Sequence, residues 1–334
     1  MKPFGSFDGK RVDQFTLVST TGVEIDIINW GVTVRDWRVP VGEGLRSVVL
    51  GFERFDDYPA HSPFFGSLAG RVANRLAGAS FELDGRLYTL EADASGNMLH
   101  GGSETIGRLV WEARPDDATN AVVFSHVSPD GAMGFPGEVR MKATYRLDGN
   151  RLRLELGATT DRPTILSLVQ HQYFNLGTDD HVLDHSYWLA AGAYTETSPG
   201  DLIPTGNILE ARPGSDQYFR VPRKMRDAAG RPLDYDGNFV LDSGRNLAEP
   251  MAIVTSPTGD LTLRQWTDRP GVQFYNAVTT AVPVPGLGGR HYGPHAGFCL
   301  EDQAFPDAPH HPHFPSIVIT PERPYAHWCE FEIA

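Results

Sequence analysis

Two residues in this chain stand where proton chemistry is readily done. His171 closes the apolar run Leu166-Ser167-Leu168-Val169-Gln170 and is followed at once by Gln172-Tyr173-Phe174-Asn175 and a glycine stop at Gly177. A histidine at the end of a β-strand is well placed for proton transfer, because its unperturbed pKa lies near neutral. A buried histidine satisfied by backbone would leave the same pattern. Glu301 ends the run Gly297-Phe298-Cys299-Leu300 and precedes the proline-rich segment Phe305-Pro306-Asp307-Ala308-Pro309. It is a candidate general base if partial burial raises its pKa, and otherwise a solvated acid at a strand end.

Other polar residues make sense around a small polyol. Gly70-Arg71-Val72-Ala73-Asn74-Arg75 carries planar guanidinium donors and an amide between apolar residues. Such groups suit vicinal diols, though a salt-bridged edge would read alike. His100 precedes Gly101-Gly102, where backbone can approach a ligand closely. Asp236, in Tyr235-Asp236-Gly237-Asn238, is either part of an ordinary Asp-Gly turn or an acceptor for two hydroxyls. Gln273 falls on a strand and is equally a ligand contact or a plain strand position. No metal is assigned to His310-His311-Pro312-His313, because the proline breaks regular ligand geometry and no cysteine or carboxylate pair has zinc spacing. There is no Gly-x-Ser-x-Gly elbow and no phosphate-cradling loop.

The elements that must hold these groups are strands. Val139, Met141, Ala143, Tyr145 and Leu147 alternate with polar residues, Asp148-Gly149 turns the chain, and Leu152, Leu154 and Leu156 alternate again. Phe81–Tyr88 repeats this hairpin pattern around Asp84-Gly85. Further strands are expected at Phe15–Val18, Val23–Ile27, Val32–Val39, Ser47–Leu50, Ala121–Ser125, Ser186–Ala190, Leu261–Gln265, Val272–Tyr275, Gly297–Glu301 and Ile317–Ile319. Short helical turns are expected near Phe55–Tyr58 and Val221–Asp227, and Tyr194–Pro232 reads as loop-rich. The 35 Gly and 25 Pro supply many turns, and 18 Phe, 11 Tyr and 6 Trp supply a core, so the expectation is one large all-β domain over residues 1–334.

The net charge of −13 argues against a nucleic-acid surface and against a strongly anionic substrate. Cys299 and Cys329 are the two cysteines, too few for a disulfide framework, and are expected as free thiols in a reducing, cytoplasmic setting. No run approaches the roughly 18–20 apolar residues of a membrane span.

In their order along the chain these segments resemble the aldose 1-epimerase (galactose mutarotase) family. The resemblance rests on Asn29-Trp30-Gly31, Val49-Leu50-Gly51-Phe52, Gly70-Arg71-Val72-Ala73-Asn74-Arg75 and Leu99-His100-Gly101-Gly102. It continues with His171-Gln172-Tyr173-Phe174-Asn175-Leu176, Ile203-Pro204-Thr205-Gly206, Gly271-Val272-Gln273-Phe274-Tyr275, Leu300-Glu301-Asp302-Gln303 and Phe314-Pro315-Ser316. It implies a large antiparallel β-sandwich with an open cleft for one monosaccharide, in a monomer or homodimer that needs no cofactor. By motif position it implies Glu301 as general base and His171 as general acid. Asn74, Arg75, His100, Tyr173, Asp236 and Gln273 then contact the sugar, and Arg71 is structural. The implied chemistry is ring opening and reclosure at C1, with His171 expected to rest as the cation. The alternatives are a hexose-6-phosphate 1-epimerase, which needs a basic cluster, and a non-catalytic sugar-binding sandwich, which has no need of an acid–base couple. The family usually reads Asp-His-Asn where this chain has Asp236-Gly237-Asn238, so a side chain that shapes one end of the cleft is missing.

Overall fold

In the computed structural model, which describes all 334 residues, most period-two segments become strands of three large antiparallel sheets, with four two-stranded pairs, among them the Phe81–Tyr88 hairpin, beside them. The largest has eight strands, in the order Glu112–Asp116, Ala121–Ser128, Val139–Asp148, Arg151–Thr160, Tyr325–Ile333, Thr262–Thr267, Ala252–Thr255 and Ser186–Leu189. Lys2–Phe7, Lys10–Val18, Glu24–Ile28, Thr33–Val41 and Gly44–Ser47 form a five-stranded meander. A second five-stranded sheet runs Pro204–Glu210, Ala191–Thr197, Asp236–Leu241, Gly271–Tyr275, Cys299–Gln303.

Alternation sets which face is buried. Along Val139–Asp148 the apolar positions are buried and the intervening Arg140, Lys142 and Arg146 are exposed. The paired strand keeps Leu152, Leu154 and Leu156 on the same inner face. The sheets close on a core of 53 buried residues drawn from all three. Phe15 of the meander meets Phe124 of the large sheet edge to face at 5.8 Å, and Trp37 meets Phe331 at 6.2 Å. Aromatic pairs of this kind contribute beyond the area they bury.

Most expected strands are present, with local differences. The long hairpin turns on Gly149-Asn150, one residue later than expected, because Asp148 still pairs with Arg151. Asp84 and Gly85 both take positive φ, as a two-residue hairpin turn requires. A single helical turn forms at Asp57–His61, but Val221–Asp227 is irregular: its backbone bonds to Leu183, Tyr187 and Leu233 instead of to itself. Within Tyr194–Pro232, expected to be loop-rich, lie the end of the strand Ala191–Thr197 and the whole of Pro204–Glu210. The Asp236-Gly237 step, where a turn was one reading, opens a strand.

Candidate active site

His171 is positioned by two backbone bonds, its N–H donating to Ser67 O and its C=O accepting from Gly66 N. It follows the short strand Val169–Gln170, which pairs with Leu68–Ala69. Glu301 lies inside the Cys299–Gln303 strand, directly across from Gln273, which in turn faces Asn238 on the next strand. Asp236 faces Tyr275. Successive strands thus lay Glu301, Gln273 and Asp236 side by side on one face. Asn74 and Arg75 enter from the opposite wall, where Arg75 pairs with Leu99 and brings His100 with it.

These residues line one cleft of about 250 Å³. It gathers Asn74, Arg75, His100, His171, Tyr173, Asp236, Gln273 and Glu301, all of the sequence-derived candidates. Arg71 is not among them. It is buried, and its guanidinium donates to Ser128 Oγ and to the carbonyls of Ser128, Pro129 and Pro136, so it holds a loop. The histidine tail is also structural: His310 bonds Asp307 at 2.6 Å, while His311 and His313 bond the carbonyls of Pro204 and Gly206.

The centre of the cleft is the pair His171 and Glu301, with Nε2 3.5 Å from Oε1 and both side chains almost fully buried. The imidazole stacks on Tyr173, ring centroids 5.0 Å apart, and against Phe64 at 6.0 Å. Tyr173 is itself pinned by donation from its hydroxyl to Pro63 O at 2.9 Å. Oε2 of Glu301 and Nδ1 of His171 are buried without a protein partner.

Burial disfavours charge on both members of the pair. It pushes the Glu301 carboxyl well above the ordinary range, with Asp236 adding to the shift and Arg75 opposing it. It pushes His171 down. Burial thus favours the uncharged couple, with its one proton on Glu301, and works against the cation expected at His171. The physical reason is the loss of hydration of both groups, which the sequence does not report. Transfer of that one proton to Nε2 generates the carboxylate and imidazolium together.

His100 is a different kind of group. The N–H of Asn74 donates to its Nδ1 at 3.2 Å, so Nε2 carries the proton in the neutral ring. Burial first, then His171, Arg75 and Arg108, hold it well below its ordinary pKa, so it stays neutral. His100, His171 and Glu301 lie close enough together to suggest a metal centre. The tautomer disagrees: Nε2 of His100 offers N–H, not a lone pair, and suits a hydroxyl oxygen instead.

The far end of the cleft is an ionic and amide cluster. Gln273 Nε2 donates to Asp236 Oδ1 at 2.6 Å, and Arg75 Nη2 lies 3.4 Å from Asp236 Oδ2. Arg75 is the one arginine or lysine lining the cleft, and Asp236 answers its charge. Pro63, Phe64, Leu99, Tyr275 and Thr279 complete the lining and are not among the expected site residues. Tyr275 was legible, since period two places it on the face of Gln273. Phe64 was not, because it reaches the histidines from a loop with φ of 72°.

Comparison with known proteins agrees with this geometry. The sequence model described as Aldose 1-epimerase matches residues 13–332. Galactose mutarotase of Rattus norvegicus is 37% identical, over 98% of this chain and 96% of that protein. Aldose 1-epimerase of Haemophilus influenzae is 33% identical, over 98% of each. The solved GalM/aldose epimerase homologue from C. elegans superposes with a TM-score of 0.90 at 25% identity, covering 97% of this chain and 99% of that one. A buried histidine–glutamate pair in a polar cleft, on a sandwich shared from end to end with these proteins, leaves one assignment: the chain belongs to the aldose 1-epimerase family of isomerases.

Proposed function

We propose that the protein interconverts the α- and β-anomers of a free, neutral aldose, with Glu301 as general base and His171 as general acid. The observation that carries this reading is the buried couple itself, its members 3.5 Å apart in a cleft lined by Asn74, Arg75, His100, Asp236 and Gln273. Hydroxyls of the entering sugar bond to the couple and favour its charged form. Glu301 then accepts the proton of the C1 hydroxyl while His171 delivers one to the ring oxygen. The C1–O5 bond breaks, the aldehyde rotates about C1–C2, and addition of the hydroxyl to the other carbonyl face closes the second anomer with the proton movements reversed. The proton count is unchanged over the cycle, so no oxidant or reductant enters. Each positioned group supplies ~10²–10⁴-fold. His100 donates through Nε2–H to a hydroxyl and fixes the ring in place.

A single arginine already answered by Asp236 favours an uncharged sugar over a hexose 6-phosphate. The chain is read as one domain, since the large sheet interleaves the segments from Glu112 to Ile333. The test is the optical rotation of freshly dissolved α-galactose, α-glucose, arabinose and xylose. Relaxation faster than buffer is expected for at least one, and no acceleration for any of them overturns the reading.

A further inference from the structure

No hydrogen bond within the protein fixes the plane of the His171 imidazole. Nδ1 has no protein partner, and Nε2 stands 3.5 Å from Glu301 Oε1, at the outer limit of a hydrogen bond. A catalytic histidine is commonly oriented by a hydrogen bond at its second ring nitrogen. At His171 aromatic rings take that place. Tyr173 lies parallel to the imidazole at 6° and 5.0 Å, and Phe64 at 17° and 6.0 Å. Phe64 also meets His100 at 4.8 Å, so one phenyl ring reaches both histidines of the cleft. The guanidinium of Arg108 lies over the same phenyl ring at 5.3 Å, a cation–π contact from an exposed side chain.

The loop that presents Phe64 is tied to the segment of His171 on either side of the ring. Pro63 O accepts the Tyr173 hydroxyl at 2.9 Å, and Gly66 N donates to His171 O at 2.9 Å. Gly66 O in turn accepts from Val34 N, an approach so close that a Cβ on Gly66 would meet Val34 O at 2.1 Å. Between these ties Phe64 takes φ of 72°, a left-handed conformation that is unfavourable for a bulky side chain. The ties hold that strain, and what the strain places is the phenyl ring against the imidazole.

We propose that Phe64 is a positioning residue for the general acid, fixing the plane of the His171 imidazole by stacking and closing the His171–Glu301 couple to water. This inference rests on the epimerase reading. The groups around His171 that carry or exchange charge are Glu301, His100 at 5.2 Å and Tyr173, with Arg75 and Asp236 further along the cleft and Arg108 beyond Phe64. The loop Ser62-Pro63-Phe64-Phe65-Gly66-Ser67 carries no titratable side chain, so losing the phenyl ring changes hydration and not the charges of the site. Hydrated, the two groups move toward their ordinary values, about 4.3 for the carboxyl and about 6.5 for the imidazole. The couple then holds one proton only between those values, and activity falls as pH rises through about 6.5.

The experiment follows mutarotation above the buffer rate between about pH 5 and pH 8, on whichever of galactose, glucose, arabinose and xylose the wild type accelerates most. The variants are Phe64→Ala, Phe64→Asn and Phe64→Tyr. Asparagine adopts positive φ readily, so the second ringless variant keeps the test open if the first unfolds. In the ringless variants kcat/KM is expected to fall about tenfold or more from pH 6 to pH 8, through kcat and with KM within about threefold. The wild type and Phe64→Tyr are expected to stay flat over the same range. A flat profile in a folded ringless variant overturns the proposal. A rise in KM at unchanged kcat also overturns it, since Phe64 would then be a sugar contact alone. Loss of the flat profile in Phe64→Tyr, which keeps the ring, overturns it as well. A wild type that accelerates none of the four sugars removes the epimerase reading and this role with it.

Discussion

Nε2 of His171 lies 3.5 Å from Oε1 of Glu301, and the segments that carry them are fastened together from behind. Gln170, the residue before His171, donates its amide to Leu300 O at 3.2 Å, with Asp302 Oδ1 at 3.5 Å. Asp302, the residue after Glu301, also accepts from Gln265 Nε2 and from Thr267 Oγ1. Because neighbouring residues on a strand face opposite ways, the couple faces the cleft while Gln170 and Asp302 lock the core side. The acid–base distance is thus set by contacts that do not touch substrate.

Glu301→Gln keeps the shape of the side chain and removes its basicity. The turnover rate is expected to fall by ~10²–10⁴-fold, with the dissociation constant for the sugar changed only a few-fold. Polarimetry reads the first and titration calorimetry the second. A variant that turns over at the wild-type rate would take Glu301 out of the base role.

The pH dependence follows from the opposed shifts. A productive couple holds one proton. It gains a second only below the depressed pKa of His171, which leaves no base, and loses its proton only above the raised pKa of Glu301, which leaves no acid. The window is widened at both ends, so kcat/KM for an uncharged sugar is expected to be flat through pH 6.5, where an ordinary histidine titrates. An inflection centred near pH 6.5 would contradict the neutral resting couple.

Asp236→Ala removes the acceptor shared by Gln273 and Arg75. Hydrogen bonds to charged groups contribute about 1.5–3 kcal/mol, so KM is expected to rise about 10- to 100-fold with a smaller change in kcat. A fall in kcat at unchanged KM would place Asp236 in the chemical step instead of in binding.

His327 gives the fold a pH-dependent term of its own. Its side chain is fully buried, with Nδ1 2.6 Å from Asp268 Oδ1 and Nε2 3.1 Å from Asp302 Oδ2. Burial alone would lower its pKa, but Asp302 and Asp268 outweigh that and raise it. A raised folded-state value means the stabilisation is complete below the unfolded value of about 6.5 and is lost as pH rises through the folded value. The wild type is expected to lose thermal stability progressively above pH 6.5, and His327→Gln to lose that slope. Asp302→Ala, which strips a partner from a buried charge, is expected to cost about 3–5 kcal/mol. Identical slopes for wild type and His327→Gln in melting experiments would refute the ionic role.

Much of the sandwich was legible because half-buried strands carry their burial in a period of two, as in Val139–Asp148 and its partner. The strands Ala191–Thr197 and Pro204–Glu210 were not, because one buries few positions and the other is largely exposed, which leaves little alternation to read. Gln170, Asp268 and His327 went unremarked for a related reason: each looks like an ordinary strand or loop polar residue until the partners from distant segments are in place.

By itself the sequence determined the candidate residues that come to line one cleft, His171, Glu301 and the polar set around them, along with the all-β character that presents them. Side-chain chemistry and strand alternation are local properties, written in neighbouring residues. The tertiary structure decided that the His171–Glu301 couple is stripped of water, that Nδ1 of His100 accepts the Asn74 N–H, and that the sheet splits beside Gly237. Those depend on desolvation, on a backbone N–H from Asn74 and on strand pairing between distant segments, and they exist only once the sheets have closed around the cleft.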